Sequence, residues 1–163
     1  MLYPLFTAKE AIAYYKVAKL AHYRAKYTMP DESMRSIVKN DPQNFKTTNG
    51  ITGAIIKYVT YVGGFANRIQ SAGRKIKTKS DKEIYIPGTT KRGTPDVSII
   101  YKGLSIQVEV KNAATKDKIS PEQSKVKMQL EAAGAIYFVA ETFEGFMTWW
   151  VKEIQKESPL TAA

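Results

Sequence analysis

Apolar residues recur at helical spacing in several stretches of the chain. Ala11, Ile12, Tyr15, Ala18 and Tyr23 form one stripe, and Thr7-Ala8-Lys9-Glu10 ahead of it has the form of a capping box. The pattern predicts a helix from Ala8 to about Tyr27, ending before Met29-Pro30. Asp31 is positioned to cap a short helix that ends near Asn40-Asp41-Pro42. The cap-rich Thr47-Thr48-Asn49 precedes Ile51, Ala54, Ile55, Tyr58, Val59 and Val62, a third helical stripe that Gly63-Gly64 stops. Phe65 to Gln70 reads as a short strand and Gly73 to Lys82 as an exposed basic loop or hairpin tip. Ile84-Tyr85-Ile86 reads as another strand, ended by Pro87-Gly88.

The pattern sharpens after Asp96. Val97–Tyr101 and Leu104–Lys111 are predicted strands joined by a tight turn at Lys102-Gly103. Strict alternation in the second puts Leu104, Ile106, Val108 and Val110 on one face, and Gln107, Glu109 and Lys111 on the other. Ser120-Pro121-Glu122-Gln123 combines a Ser cap, a proline at the first helical position and a glutamine three residues after the cap. That helix runs through Val126, Leu130 and Ala133 to Gly134. Ala135–Ala140 is an unbroken apolar run suited to a buried strand. Thr142 caps a last helix carrying Phe146, Trp149, Trp150 and Ile154, with one tryptophan ring expected in the core and the other at an interface. The order predicts an α/β fold, a central mixed sheet flanked by helices. Residues 1–45 read as an N-terminal helical extension and 46–163 as the functional domain.

Composition narrows the chemistry. The 163 residues include no cysteine and one histidine, His22, which excludes thiolate sites and makes a multi-histidine zinc site untenable. No apolar run approaches the ~20 residues that span a bilayer, and MLYPLFTAKE lacks the features of a secretion signal, so a cytoplasmic protein with no membrane association is expected. The pattern of a phosphate-binding loop is absent, so no nucleotide cofactor is expected. The formal charge of +10 is uneven. Residues 68–92 hold Arg68, Arg74, Lys75, Lys77, Lys79, Lys82, Lys91 and Arg92 against Asp81 and Glu83, whereas residues 93–163 are close to neutral. A concentrated patch of this kind points to a polyanion, because lysine and arginine release counterions from phosphates on binding.

Two carboxylates and a lysine follow that patch. A hairpin between the two clear strands brings Asp96 next to Glu109, with Lys111 on the same face. Paired carboxylates offer oxygen ligands to a hard cation such as Mg²⁺, and a nearby ammonium can orient a water or stabilise developing negative charge. Taken singly, each piece is also what a turn and a solvated Glu/Lys pair look like. It is their order that carries weight.

Gly93-Thr94-Pro95-Asp96, Glu109-Val110-Lys111 and then Ser120-Pro121-Glu122-Gln123 with Gly134 resemble the PD-(D/E)xK nuclease superfamily, and within it the virus-type replication-repair nuclease (VRR-NUC) branch, over roughly residues 48–140. The resemblance implies a restriction-endonuclease-like core and a metal-dependent DNA endonuclease active in DNA repair in a bacterial or phage-infected cell. Its substrates would be chosen by structure (Holliday junction, flap or branched DNA), and it would act as a homodimer. It implies Mg²⁺ or Mn²⁺ held by Asp96, Glu109 and the carbonyl of Val110. Lys111 would position the attacking water, Gln123 would face the site, and Arg68 in Phe65-Ala66-Asn67-Arg68 would face the site or the DNA; the charge patch itself marks Arg74, Lys75, Lys91 and Arg92 as nucleic-acid contacts. One departure stands out: no acid occurs between Asp41 and Asp81, where the family carries a helical carboxylate, and Thr48 or Asn49 stands there instead. That departure motivates an alternative, a catalytically inactive nucleic-acid-binding module of the same fold. A second alternative is a basic protein that binds RNA or a protein assembly, with the acids incidental.

Overall fold

The computed structural model of the protein describes residues 5–69, 73–78, 80–86, 91–115 and 117–155; Gln70, Lys79 and Pro87-Gly88, named above, lie outside them. Helix α1 (Ala8–Lys26) starts with the expected capping box: Glu10 N donates to Thr7 Oγ1 while Thr7 N donates to Glu10 Oε2. Helix α2 (Asp31–Lys39) differs from expectation at its start. Pro30 occupies the cap, and Asp31 lies inside the first turn, where Arg24 and Arg35 both engage its carboxylate. Helix α3 (Thr48–Tyr61) is capped by Thr47, and the chain leaves it through Gly63 at φ +85°.

Strands β1 (Phe65–Arg68), β4 (Val97–Tyr101), β5 (Leu104–Val110) and β6 (Ile136–Ala140) form a mixed four-stranded sheet in the order β1-β4-β5-β6. The first three run antiparallel, with Lys102 and Gly103 at φ +47° and +80° supplying the tight β4–β5 turn. Helix α4 (Pro121–Ala132) crosses from β5 to β6, which pair in parallel. The basic segment upstream is more ordered than a loop: β2 (Arg74–Lys77) and β3 (Glu83–Ile86) make a separate two-stranded ribbon.

One sheet face builds the core. Val97, Ile99, Ile106, Val108, Val110 and Ala140 pack with α3 (Ile51, Ala54, Ile55, Tyr58, Val59) and with helix α5 (Phe143–Trp149). Ala11, Tyr15 and Ala18 of α1 belong to this same cluster. A buried Lys19–Asp41 pair at 2.7 Å fastens α1 to the segment before α3, and half-buried His22 packs against the rings of Tyr23 and Tyr61. After α5 the chain makes a turn of π-helix (Trp150–Ile154). Trp150 is fully buried, and half-buried Trp149 stacks its ring on Phe138, with centroids 4.2 Å apart. No helix of the described residues is long and apolar enough to cross a membrane. The second sheet face, which carries Ser98, Gln107, Glu109 and Tyr137, lies under α4.

Candidate active site

The β4–β5 register pairs Val97 with Val108, so its continuation sets Asp96 opposite Glu109 and Pro95 opposite Val110. Directly opposed residues of an antiparallel pair share a face, which places both carboxylates on the α4 side. Pro95 has no N–H, so the ladder lacks its donor for the Val110 carbonyl. The Val110 N–H donates to Asp96 Oδ2 at 2.9 Å. Asp96 is thus fixed by the strand that carries Glu109.

Glu109 and Lys111 are not a solvated pair. They are only 3% and 7% exposed, and Lys111 Nζ lies 3.1 Å from Glu109 Oε1. Gln123 supplies the third contact, its Nε2 donating to the same Glu109 oxygen. Its Oε1 meanwhile accepts from Ser120 N at 2.9 Å, and Ser120 Oγ accepts from Gln123 N, which completes the capping box. The helix cap and the carboxylate contact therefore use opposite ends of one amide.

Gly93 explains how the Asp96 loop reaches this helix. It adopts φ +82°, and a Cβ there would lie 2.6 Å from the Glu122 carbonyl carbon and oxygen and 2.9 Å from Gln123 N. The loop and the first turn of α4 are in backbone contact, which only glycine permits.

Two side chains that the sequence did not single out join the group. Asp117, in the segment after β5, accepts from Lys111 Nζ at 3.1 Å. Lys111 is thereby held between two carboxylates. Burial works against its ammonium, but the hydrogen bonds to Asp117 and Glu109 outweigh it and hold the pKa above the ordinary lysine value. Tyr137, opposite Gln107 on β6, has a buried hydroxyl with no hydrogen-bond partner among the described residues, and Lys127 Nζ sits 5.7 Å from its ring centroid. Burial raises its phenol pKa, and the charges of Glu109 and Asp96 raise it further. An acid in a loop and a tyrosine inside an apolar strand are too common to signal this from sequence.

Glu109 carries the electrostatic tension. Burial pushes its pKa up to about 7, the charge of Asp96 adds to that, and Lys111 opposes it. One of its oxygens, Oε2, is buried and has no hydrogen-bond partner among the described residues. A divalent cation would answer both features, because it favours the ionised carboxylate and takes oxygen ligands. Among the described residues no three Asp, Glu or His side chains converge on one point, so the donors on offer are Asp96, Glu109 and the Val110 carbonyl.

The other candidates lie around this group rather than in it. Arg68 ends β1 beside the Asp96 segment (Ile69 N donates to Asp96 O), but its guanidinium donates to Asn49 Oδ1 at 2.7 Å on the first turn of α3. Asn49 thus serves an arginine. Exposed Lys91 reaches Gln129 of α4 at 2.7 Å, and exposed Arg92 precedes Gly93. Arg74 and Lys75 belong to the β2–β3 ribbon. A cavity of about 710 Å³, lined mainly by apolar groups such as Ile12, Phe45, Ile51 and Phe143, contains none of Asp96, Glu109, Lys111 and Gln123. Compared with protein-family profiles and with curated proteins, the chain matches none.

Proposed function

We propose that the protein is a metal-dependent DNA endonuclease with a restriction-endonuclease-like core, acting on branched, junction or flap DNA. The observation that carries this reading is the opposition of Asp96 and Glu109 across the β4–β5 hairpin, with Lys111 3.1 Å from Glu109. Glu109 Oε2, buried and without a hydrogen-bond partner among the described residues, supports it further.

Asp96, Glu109 and the Val110 carbonyl would hold Mg²⁺ or Mn²⁺. Such an ion would supply Lewis acidity toward the scissile phosphate and the attacking water. The residues of the chain do the rest. In hydrolysis a water oxygen attacks phosphorus and the P–O bond to one sugar oxygen breaks; the water gives up a proton to solvent and the departing sugar oxygen takes one up from solvent, so the products are a phosphate monoester and an alcohol. Lys111 is unsuited to take that proton, because its pKa is raised and it stays an ammonium. Its work is to donate hydrogen bonds and to offset negative charge on the phosphate oxygens. Asp117 and Glu109 fix its position. Gln123 fixes the rotamer of Glu109 through the amide that also caps α4. The bases Arg68, Lys91 and Arg92 would contact the phosphate backbone around the site.

Incubation of synthetic junction, flap, nicked and linear DNA with Mg²⁺ or Mn²⁺ tests the proposal. Cleavage by the wild-type protein is expected, and it falls about a hundredfold or more in Asp96→Ala, Glu109→Ala and Lys111→Ala. Cleavage that persists in excess EDTA, or survives all three substitutions, overturns it. Mobility shifts with no product under every condition would instead favour the inactive binding module.

A further inference from the structure

The β2–β3 ribbon packs on no other element among the described residues. Its register is Lys75 with Tyr85, Ile76 with Ile84, and Lys77 with Glu83. One face therefore carries Lys75, Lys77, Glu83 and Tyr85, and the other carries Arg74, Ile76, Ile84 and Ile86. The two faces differ in exposure. Ile84 and Ile86 are 39% and 38% exposed, whereas Tyr85 is 64% exposed and both lysines are open to solvent. The Lys75, Lys77 and Tyr85 face is thus the more exposed of the two among the described side chains. Tyr85 is also held in place: its hydroxyl lies against Gly73, where a Cβ would come within 2.1 Å. At the tip, Lys82 N donates to Thr78 Oγ1 and Thr78 N to Lys82 O, with Asp81 at φ +62°.

An isolated two-stranded ribbon is marginally stable in water, so a sequence that maintains one with lysines and a tyrosine outward invites a partner of opposite charge. The major groove of B-form DNA, about 12 Å wide, admits a two-stranded ribbon, and phosphates line both of its rims. The corresponding groove of A-form RNA is deep and narrow and does not admit it.

We propose that the β2–β3 ribbon is a duplex-DNA-binding arm that enters the major groove with its Lys75, Lys77 and Tyr85 face inward. This rests on the DNA reading above and adds to it: the ribbon grips a B-form arm of the substrate, at residues other than those that would perform cleavage. Lys75 and Lys77 meet phosphates along the groove rims, and Tyr85 lies against base edges.

The test is equilibrium binding of the full chain, in EDTA, to a DNA duplex and an RNA duplex of matched sequence and to single-stranded DNA. It compares the wild type with Lys75→Ala/Lys77→Ala/Tyr85→Ala and with Lys75→Arg/Lys77→Arg. The triple variant is expected to lose at least tenfold in affinity for duplex DNA. Its plot of log K against log salt should flatten by about two, near one unit per phosphate-contacting lysine. The arginine variant should bind DNA like the wild type, and RNA-duplex affinity should not change between proteins. Because the ribbon packs on no other element, the melting temperature of the domain should also stay unchanged, which excludes misfolding as the cause. Equal losses on RNA and single strands, or no loss on duplex DNA, overturn the inference. Failure of the nuclease reading is separable: ribbon-dependent duplex binding without metal-dependent cleavage sinks that reading alone, and cleavage with ribbon-independent binding sinks this one alone.

Discussion

The side-chain amide of Gln123 donates from Nε2 to Oε1 of Glu109, while its own Oε1 closes the cap of α4 on Ser120. The two roles separate by substitution. Gln123→Ala removes both and should cost about 1–2 kcal/mol of stability from the cap and from the lost contact to a buried carboxylate. Gln123→Glu keeps an acceptor for Ser120 N–H, since glutamate serves this position of a capping box equally well, but replaces the donor to Glu109 with a second carboxylate. Urea denaturation should show the glutamate variant more stable than the alanine variant, while both lose at least tenfold in turnover. A Gln123→Glu protein that cleaves like the wild type would reduce Gln123 to a cap.

The pKa of Glu109 sets a pH dependence of stability. Its folded value of about 7 lies above the ordinary 4.5, so between these values the folded protein binds the proton that the unfolded chain releases. Stability of the metal-free protein should therefore fall as pH rises from about 4.5 to 7, by about 3 kcal/mol for a shift of this size. Below that window the carboxyl is protonated in both states and the effect is absent. Thermal melts across pH 5 to 8 should show the decline in the wild type, a smaller one in Glu109→Gln, and recovery when Mn²⁺ is added at pH 7.5. A wild-type profile that matches Glu109→Gln in EDTA would remove the basis for a strained carboxylate.

Much of this site was legible because a strand of period two leaves no choice of face. The alternation from Leu104 to Lys111 and the Lys102-Gly103 turn determine which residues share a side, and the structure reproduces both. The burial of that side was not legible. Helix α4 covers it with polar contacts, and Val126 is its one buried residue among those described, so no apolar stripe announces the docking of the helix. Asp117 and Tyr137 escaped notice for related reasons, one standing in an irregular segment and the other inside the apolar run of β6. Arg68 and Asn49 pair across 19 positions, a contact that no local pattern encodes.

Gly93 and Gly103 share nearly the same backbone angle, φ +82° and +80°, but no atom of the described residues beyond its chain neighbours lies within 4 Å of a Cβ at Gly103, whereas the Glu122 carbonyl lies 2.6 Å from one at Gly93. Alanine at either position meets the cost of a left-handed conformation, about 1–2 kcal/mol. Only at Gly93 must it also push the Asp96 loop off the start of α4. Gly93→Ala should be less stable than Gly103→Ala by about 1 kcal/mol or more, and it should lose cleavage where Gly103→Ala keeps it. Chemical denaturation and initial rates on one junction substrate read both effects. Equal behaviour of the two variants would mean that the loop contact does not position Asp96.

The hydroxyl of Tyr137 is buried, without a hydrogen-bond partner among the described residues, on the sheet face that carries Glu109, and the charges of Glu109 and Asp96 bear on it. In the metal-free protein such a group is a liability, since an unsatisfied buried hydroxyl costs about 1–3 kcal/mol. Tyr137→Phe should therefore leave the melting temperature in EDTA unchanged or raised. If the hydroxyl serves the ion or phosphate bound by its neighbours, the same substitution should shrink the rise in melting temperature on adding Mn²⁺ and lower turnover several-fold. These opposite signs distinguish a site residue from a packing residue, because a packing defect would lower the melting temperature with and without the ion alike. A Tyr137→Phe protein with wild-type Mn²⁺ stabilisation and wild-type turnover would assign the hydroxyl no part in the site.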